Sequence, residues 1–269
     1  MEWYYVFRMK TISAFILGLY MAALPHPAAA QDVTVAAASD LSFAMGELIP
    51  GFERATGHHV KLSTGSSGNF FSEIQNGAPF DLFFSADADY PRQLEAAGLI
   101  EPGSLYVYAI GKIVLWVRKD SPLDVSKGWA ELLDPRVRKI AIANPLHAPY
   151  GRAAEAAMRS AGVYDRVADR LVLGENISQA AQFVDSGNAD IGVLALSLAS
   201  AATMKNNGRW WLVPESSYPR LEQAAVILRS SQNKEIARAF LAYVRSAEGK
   251  AILQRNGFGD PPRNADSRP

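Results

Sequence analysis
From Val33 to Ile227, short apolar runs of strand composition alternate with segments whose apolar residues recur at helical spacing. This alternation confines the chain to an α/β fold. Val33-Thr34-Val35 leads into Leu41, Ala44, Met45, Leu48, Ile49 and Phe52 on one helical face, where Pro50 should bend the helix and Gly57 end it. Val60–Ser63, Asp81–Ser85, Ile140–Ala143, Leu171–Leu173 and Ile191–Leu196 are further strands, most of them followed by a short loop and a helix. Short connections between unlike elements give parallel sheets with helices on both faces. The extended stretch from Tyr106 to Val117, interrupted only at Gly111-Lys112, reads as a crossover between two domains, and Ala224–Leu228 as the strand that returns. A chain of 269 residues holds two modest domains of this kind or one large one. Helices over Lys234–Arg245 and Ala247–Arg255 close the fold, and residues 259–269 read as a disordered tail.

Composition narrows function by exclusion. Formal net charge is zero, so there is no basic surplus to attract nucleic acid. Without cysteine there are no disulfides, thiolate metal sites or cysteine nucleophile. G-x-S-x-G, H-E-x-x-H, P-loop and G-x-G-x-x-G signatures are all missing, and with them the usual catalytic and cofactor sites. His58-His59 falls at a helix–strand turn and reads as solvated rather than metal-binding; His147 reads as ordering its loop. At the N-terminus, Arg8 and Lys10 precede an apolar run from Ile12 to Leu24 that ends at Ala28-Ala29-Ala30. The run is shorter than the ~20 residues of a membrane span, and residues 1–30 read as a cleavable export signal. Met9-Lys10-Thr11 is the more usual start of such a signal. The mature, exported chain is nearly neutral.

Four junctions between strand, loop and helix stand out: Ser39-Asp40, Ser66-Ser67, Pro149-Tyr150-Gly151 and Asn176-Ile177-Ser178. Serine, aspartate and asparagine there serve as helix caps, and Gly65 and Gly68 permit a tight turn. The first-turn N–H groups of a helix lack intrahelical acceptors, and the helix dipole adds positive potential, so each junction is also an anion site. Two junctions precede the crossover and two follow it. Open α/β sheets bind ligands at this end of their strands.

Ala37-Ala38-Ser39-Asp40-Leu41, Gly65-Ser66-Ser67-Gly68, Pro79–Asp87 and Asn144-Pro145-x-His147-x-Pro149-Tyr150-Gly151 stand in the order found in periplasmic molybdate-binding proteins of ABC importers. The closing Asn256-Gly257-Phe258 is similar too, so the resemblance covers Val33–Phe258. It implies a type II periplasmic-binding-protein fold: two lobes, each a mainly parallel sheet flanked by helices, joined by crossover strands. Residues 31–111 and 224–258 would form one lobe and 112–223 the other. It implies a monomeric receptor, not an enzyme, that binds molybdate or tungstate without a cofactor or cation and passes it to a membrane permease. The family's oxyanion ligands map to the hydroxyls of Ser39 and Ser67 and the backbone N–H groups of Tyr150 and Ile177. Where many members place a ligand-binding tyrosine this chain has Ala195, so the site makes one bond fewer or recruits another group, such as the N–H of Asp40. The Asp40 carboxylate would repel a dianion; its side chain is expected to turn away and organise its own loop. Arg152, just past the Tyr150 junction, is expected to lie along its helix.

Other readings remain open at this stage. The same fold could take sulfate, phosphate or another oxyanion. A hydrolase would use His147 with a cleft serine. A partner-binding module would use Trp210-Trp211, which otherwise packs beneath the second lobe.

Overall fold
The structure, a computed structural model, describes residues 32–261. The expected export signal, residues 1–30, lies outside the described residues, as does most of the expected tail. The chain runs β1 (Asp32–Ala38), α1 (Ser42–Thr56), β2 (His59–Gly65), α2 (Ser67–Gln75), β3 (Leu82–Ser85), α3 (Asp89–Ala96) and β4 (Tyr106–Gly111). It continues with β5 (Ile113–Arg118), β6 (Ile140–Ala143), α4 (Pro149–Ser160), the one-turn α5 (Tyr164–Val167), β7 (Leu171–Gly174), α6 (Ile177–Asp185) and β8 (Ile191–Ala195). The remainder is α7 (Leu196–Ala199), α8 (Ala202–Asn207), β9 (Gly208–Leu212), β10 (Leu221–Ile227), α9 (Lys234–Arg245) and α10 (Ala247–Arg255).

Two five-stranded sheets result, in the orders β2-β1-β3-β10-β4 and β7-β6-β8-β5-β9. β1 pairs in parallel with β2 and β3, and β6 with β7 and β8. Each sheet has one strand antiparallel to both its neighbours, β10 in the first and β5 in the second. The chain's path explains both. β1, β2, β3, β6, β7 and β8 all run toward the junctions, whereas β5 and β10 begin where the chain has just crossed from the other sheet and so run away from them. Only Lys112 separates β4 from β5.

The alternating side chains of β1 divide the first lobe's core. Val33, Val35 and Ala37 pack with α1, α9 and α10, and Ala36 on the other face packs with Phe70, Ile74 and Leu94 of α2 and α3. Phe240 of α9 is fully buried edge-on to Phe52 and near-perpendicular to Phe84. The second lobe has its own core around Trp116, Ile142 and Leu194. Gly57 closes α1 at φ 74°, the left-handed conformation expected of it.

Several boundaries differ from the sequence reading. β10 begins at Leu221, not Ala224, and Leu221 already pairs with Gly111 in the first sheet. Gly259 was expected to start the disordered tail, yet it exchanges two backbone hydrogen bonds of 2.8 Å with Ile110. Trp210 and Trp211 lie on an edge strand, β9, where Trp211 meets Trp129 edge-on and both pack against the second core. α4 starts within its junction, at Pro149, because proline suits the first helical position, where its missing N–H costs nothing. No described helix is long and apolar enough to cross a membrane.

Phe240 ties the C-terminal helices to strands laid down some 150 residues earlier in the chain. Phe240→Ala is expected to destabilise the protein by ~3–5 kcal/mol through lost burial and a residual cavity, as read from urea unfolding followed by tryptophan fluorescence.

Candidate functional site
All four junctions face one small cavity between the two sheets. Its walls are Ala38, Ser39 and Asp40 after β1, Gly65–Ser67 after β2, Ala86 after β3, Ala148–Tyr150 at the start of α4, and Asn176-Ile177 at the start of α6. The space inside it that is free to the centre of a water-sized sphere is about 10 Å³, far below the ~300 Å³ of pockets that take drug-sized molecules. A wider groove open to solvent continues from Ser39 and Asn176 between α1 and α6.

The structure thus gathers Ser39, Asp40, Ser67, Tyr150 and Ile177 around one point, with donors from both lobes. The Ser67 hydroxyl accepts from the Ala86 N–H at 2.9 Å and, among the described residues, donates to nothing. Its proton is uncommitted. Ser39 differs: its hydroxyl donates to Asn176 Oδ1 at 3.1 Å and accepts from the Ser178 N–H at 3.3 Å. Asn176 Oδ1 also caps α6 by accepting from the Gln179 N–H at 3.0 Å. The N–H groups of Tyr150 and Ile177, both in the first turn of a helix, find no acceptor among the described residues.

Asp40 corrects one expectation. Its side chain does not serve its own loop but joins the lobes. Oδ2 accepts from the Gln223 Nε2–H at 2.6 Å and from the Tyr150 hydroxyl at 3.0 Å, while Oδ1 makes no hydrogen bond. Gln223 also accepts from the Tyr108 hydroxyl at 2.7 Å. The Tyr150 side chain is thus turned to Asp40, leaving its backbone to the cavity. The Asp40 carbonyl accepts from the Ser197 hydroxyl at 2.9 Å. Burial pushes the Asp40 carboxyl up to about 7; the bonds from Gln223 and Tyr150 and the nearby N–H groups of Asp40 and Leu41 restrain the rise. Ala195 is buried at the end of β8 and does not line the cavity.

Arg152 also departs from expectation. It crosses between the lobes, donating to Asp87 Oδ2 at 2.5 Å and to the Tyr90 hydroxyl at 3.2 Å, so its charge is neutralised outside the cavity. His147 finds a partner that the sequence did not reveal. Ser66 donates to the His147 carbonyl at 2.7 Å, and its oxygen lies 2.9 Å from His147 Nδ1. Because the serine proton goes to a carbonyl, Nδ1 serves as donor to the hydroxyl oxygen rather than as its base. This pair clamps two loops. Asp81, inside one of the recognised motifs, holds the far end of β3 through Thr34 and Ser231 and lies away from the cavity. Among the described residues no three His, Asp or Glu side chains converge as a cation site.

The sequence signal for Gln223 was faint, an amide beside Glu222 at the head of the apolar run Ala224–Ile227, and its full burial emerges only in the structure. The Asn176–Ser39 bond had none, since it joins residues 137 apart.

Comparison with known proteins follows from this geometry. The family described as bacterial extracellular solute-binding protein matches residues 33–259. Two relatives carry the name molybdate-binding protein ModA. That of Rhodobacter capsulatus is 37% identical, covering 92% of this chain and 94% of its own. That of Azotobacter vinelandii is 36% identical, covering 93% and 98%. The solved periplasmic molybdate-binding protein of Azotobacter vinelandii superposes with a TM-score of 0.81 at 35% identity, over 85% of this chain and 99% of the other.

The seam leaves no room for a methyl group at Gly68: a Cβ there would sit 2.5 Å from the His147 carbonyl oxygen of the other lobe. Gly68→Ala is therefore expected to hold the lobes apart, giving a larger radius of gyration by small-angle scattering than wild type. An unchanged radius would show that the lobes tolerate the methyl.

Proposed function
The chain belongs to the bacterial extracellular solute-binding protein family, and we propose that it captures molybdate, or tungstate, between its lobes and delivers it to a membrane ABC permease. The observation that carries this reading is the convergence of uncharged donors from both lobes on one small shared cavity. In this reading residues 1–30 direct export to the periplasm and are removed, and the mature receptor acts as a monomer without a cofactor. The moving bodies are residues 31–111 with the return segment from Leu221 to Phe258, and the stretch between.

The chemistry follows from the donor set. A fully ionised tetrahedral anion needs only donors, and each hydrogen bond to a charged acceptor is worth ~1.5–3 kcal/mol. Ser67 has a proton to give, and Ser39 can rotate its proton from Asn176 to the guest while Asn176 keeps the Gln179 N–H. Tyr150 and Ile177 supply first-turn N–H groups, whose helix dipoles favour negative charge. Closing the lobes brings the two halves of this set together and excludes water, so binding and hinge motion are one event. No bond is made or broken.

Ser39→Ala and Ser67→Ala are each expected to weaken molybdate binding by ~1.5–3 kcal/mol, as measured by titration calorimetry. Unaltered affinity in both variants would refute the site. A thermal-shift series with molybdate, tungstate, sulfate and phosphate tests the choice of anion, because a specific ligand raises the unfolding midpoint by mass action.

A further inference from the structure
We propose that Asp40 makes capture proton-coupled: closing the lobes around a dianion takes up one proton onto its carboxyl group. The inference rests on the reading of the cavity as a dianion site. Asp40 lines that cavity, yet its carboxyl group has no cation among its partners. From its own lobe it faces Gln223, with Tyr108 behind; from the other it faces Tyr150, with Tyr218 near that hydroxyl, and Ser197 holds its carbonyl. The ion pair that crosses the same seam, Arg152 with Asp87, is satisfied within itself. Oδ1 is buried without a hydrogen bond, a costly state for a charged oxygen and an easy one for a protonated carboxyl.

Three of these surroundings, Tyr150, Tyr218 and Ser197, belong to the second lobe. When the lobes part, Tyr150 and Ser197 withdraw and water reaches the carboxylate, returning it toward the ordinary aspartate range near ~3.9. Closure restores burial, which already lifts the carboxyl to about 7, and a dianion beside it lifts it further by like-charge repulsion. The proton-binding form is therefore the closed, loaded one. Linkage fixes the sign: affinity is greatest at low pH, falls by up to tenfold per pH unit as pH rises from the open-form to the loaded-form pKa, and levels off above it.

The test is titration calorimetry with sodium molybdate at pH 6.5, in two buffers of different ionisation enthalpy, and across pH 5.5–7.5. Wild type is expected to take up close to one proton and to lose affinity by nearly tenfold per pH unit. Asp40→Asn, which keeps an oxygen for Tyr150 and Gln223, is expected to show no uptake and a flat profile. Tyr150→Phe removes a donor to the closed-form carboxylate and should carry the upper end of the descending limb to higher pH, seen by extending the series to pH 9, a readout that does not depend on Asp40→Asn folding. Buffer-independent heats in wild type, or the same slope in Asp40→Asn, would overturn the proposal. Failure to bind molybdate at any pH would sink the receptor reading and this proposal together, whereas binding without proton uptake sinks this one alone.

Discussion
The arrangement depends on backbone N–H groups that helices cannot satisfy from within. Helix starts from both sheets aim such groups at one place, and their dipoles repel one another there. Small residues let them come close: Ala38, Ala86 and Ala148 line the same cavity as the serines. The protein supplies one negative group of its own against this positive potential, the buried carboxyl of Asp40.

Around the small residues of the cavity, the seam between the lobes is rich in polar contacts. Ser39 meets Asn176 and Ser178, Ser66 and Gly68 meet His147, Asn69 meets Glu175, and Asp87 meets Arg152. Each of these groups can exchange its partner for water. Such interfaces open at modest cost, unlike the separate apolar cores that keep each lobe intact. Rigid halves with a wettable seam are what a reversible clasp requires.

Much of this was legible in the sequence, for identifiable reasons. Period-two and period-3.6 patterns mark elements long enough to show them, and α9 and α10 span the residues expected, Lys234–Arg245 and Ala247–Arg255. The four junctions were legible because caps and tight turns have local chemistry. α7 and α8 escaped because four and six residues are too few for a period to emerge. Side-chain direction escaped as well: Asp40 and Arg152 both reach across to the other lobe, and nothing in their neighbouring residues specifies a partner 110 or 65 positions away. Sequence locates the donors, and tertiary structure decides which are already spoken for.

The position of β10 between β3 and β4 has a consequence for how the molecule is assembled. β4 has no sheet neighbour except β10, so the first sheet stays split until residues beyond Leu221 are available. The second sheet draws only on Ile113–Leu212 and can form from an unbroken segment. Although domains usually mature from the N-terminus as a chain emerges, here the lobe that begins first is completed last. Until those residues arrive, β1 to β3 wait as an open edge for the strand that seals them.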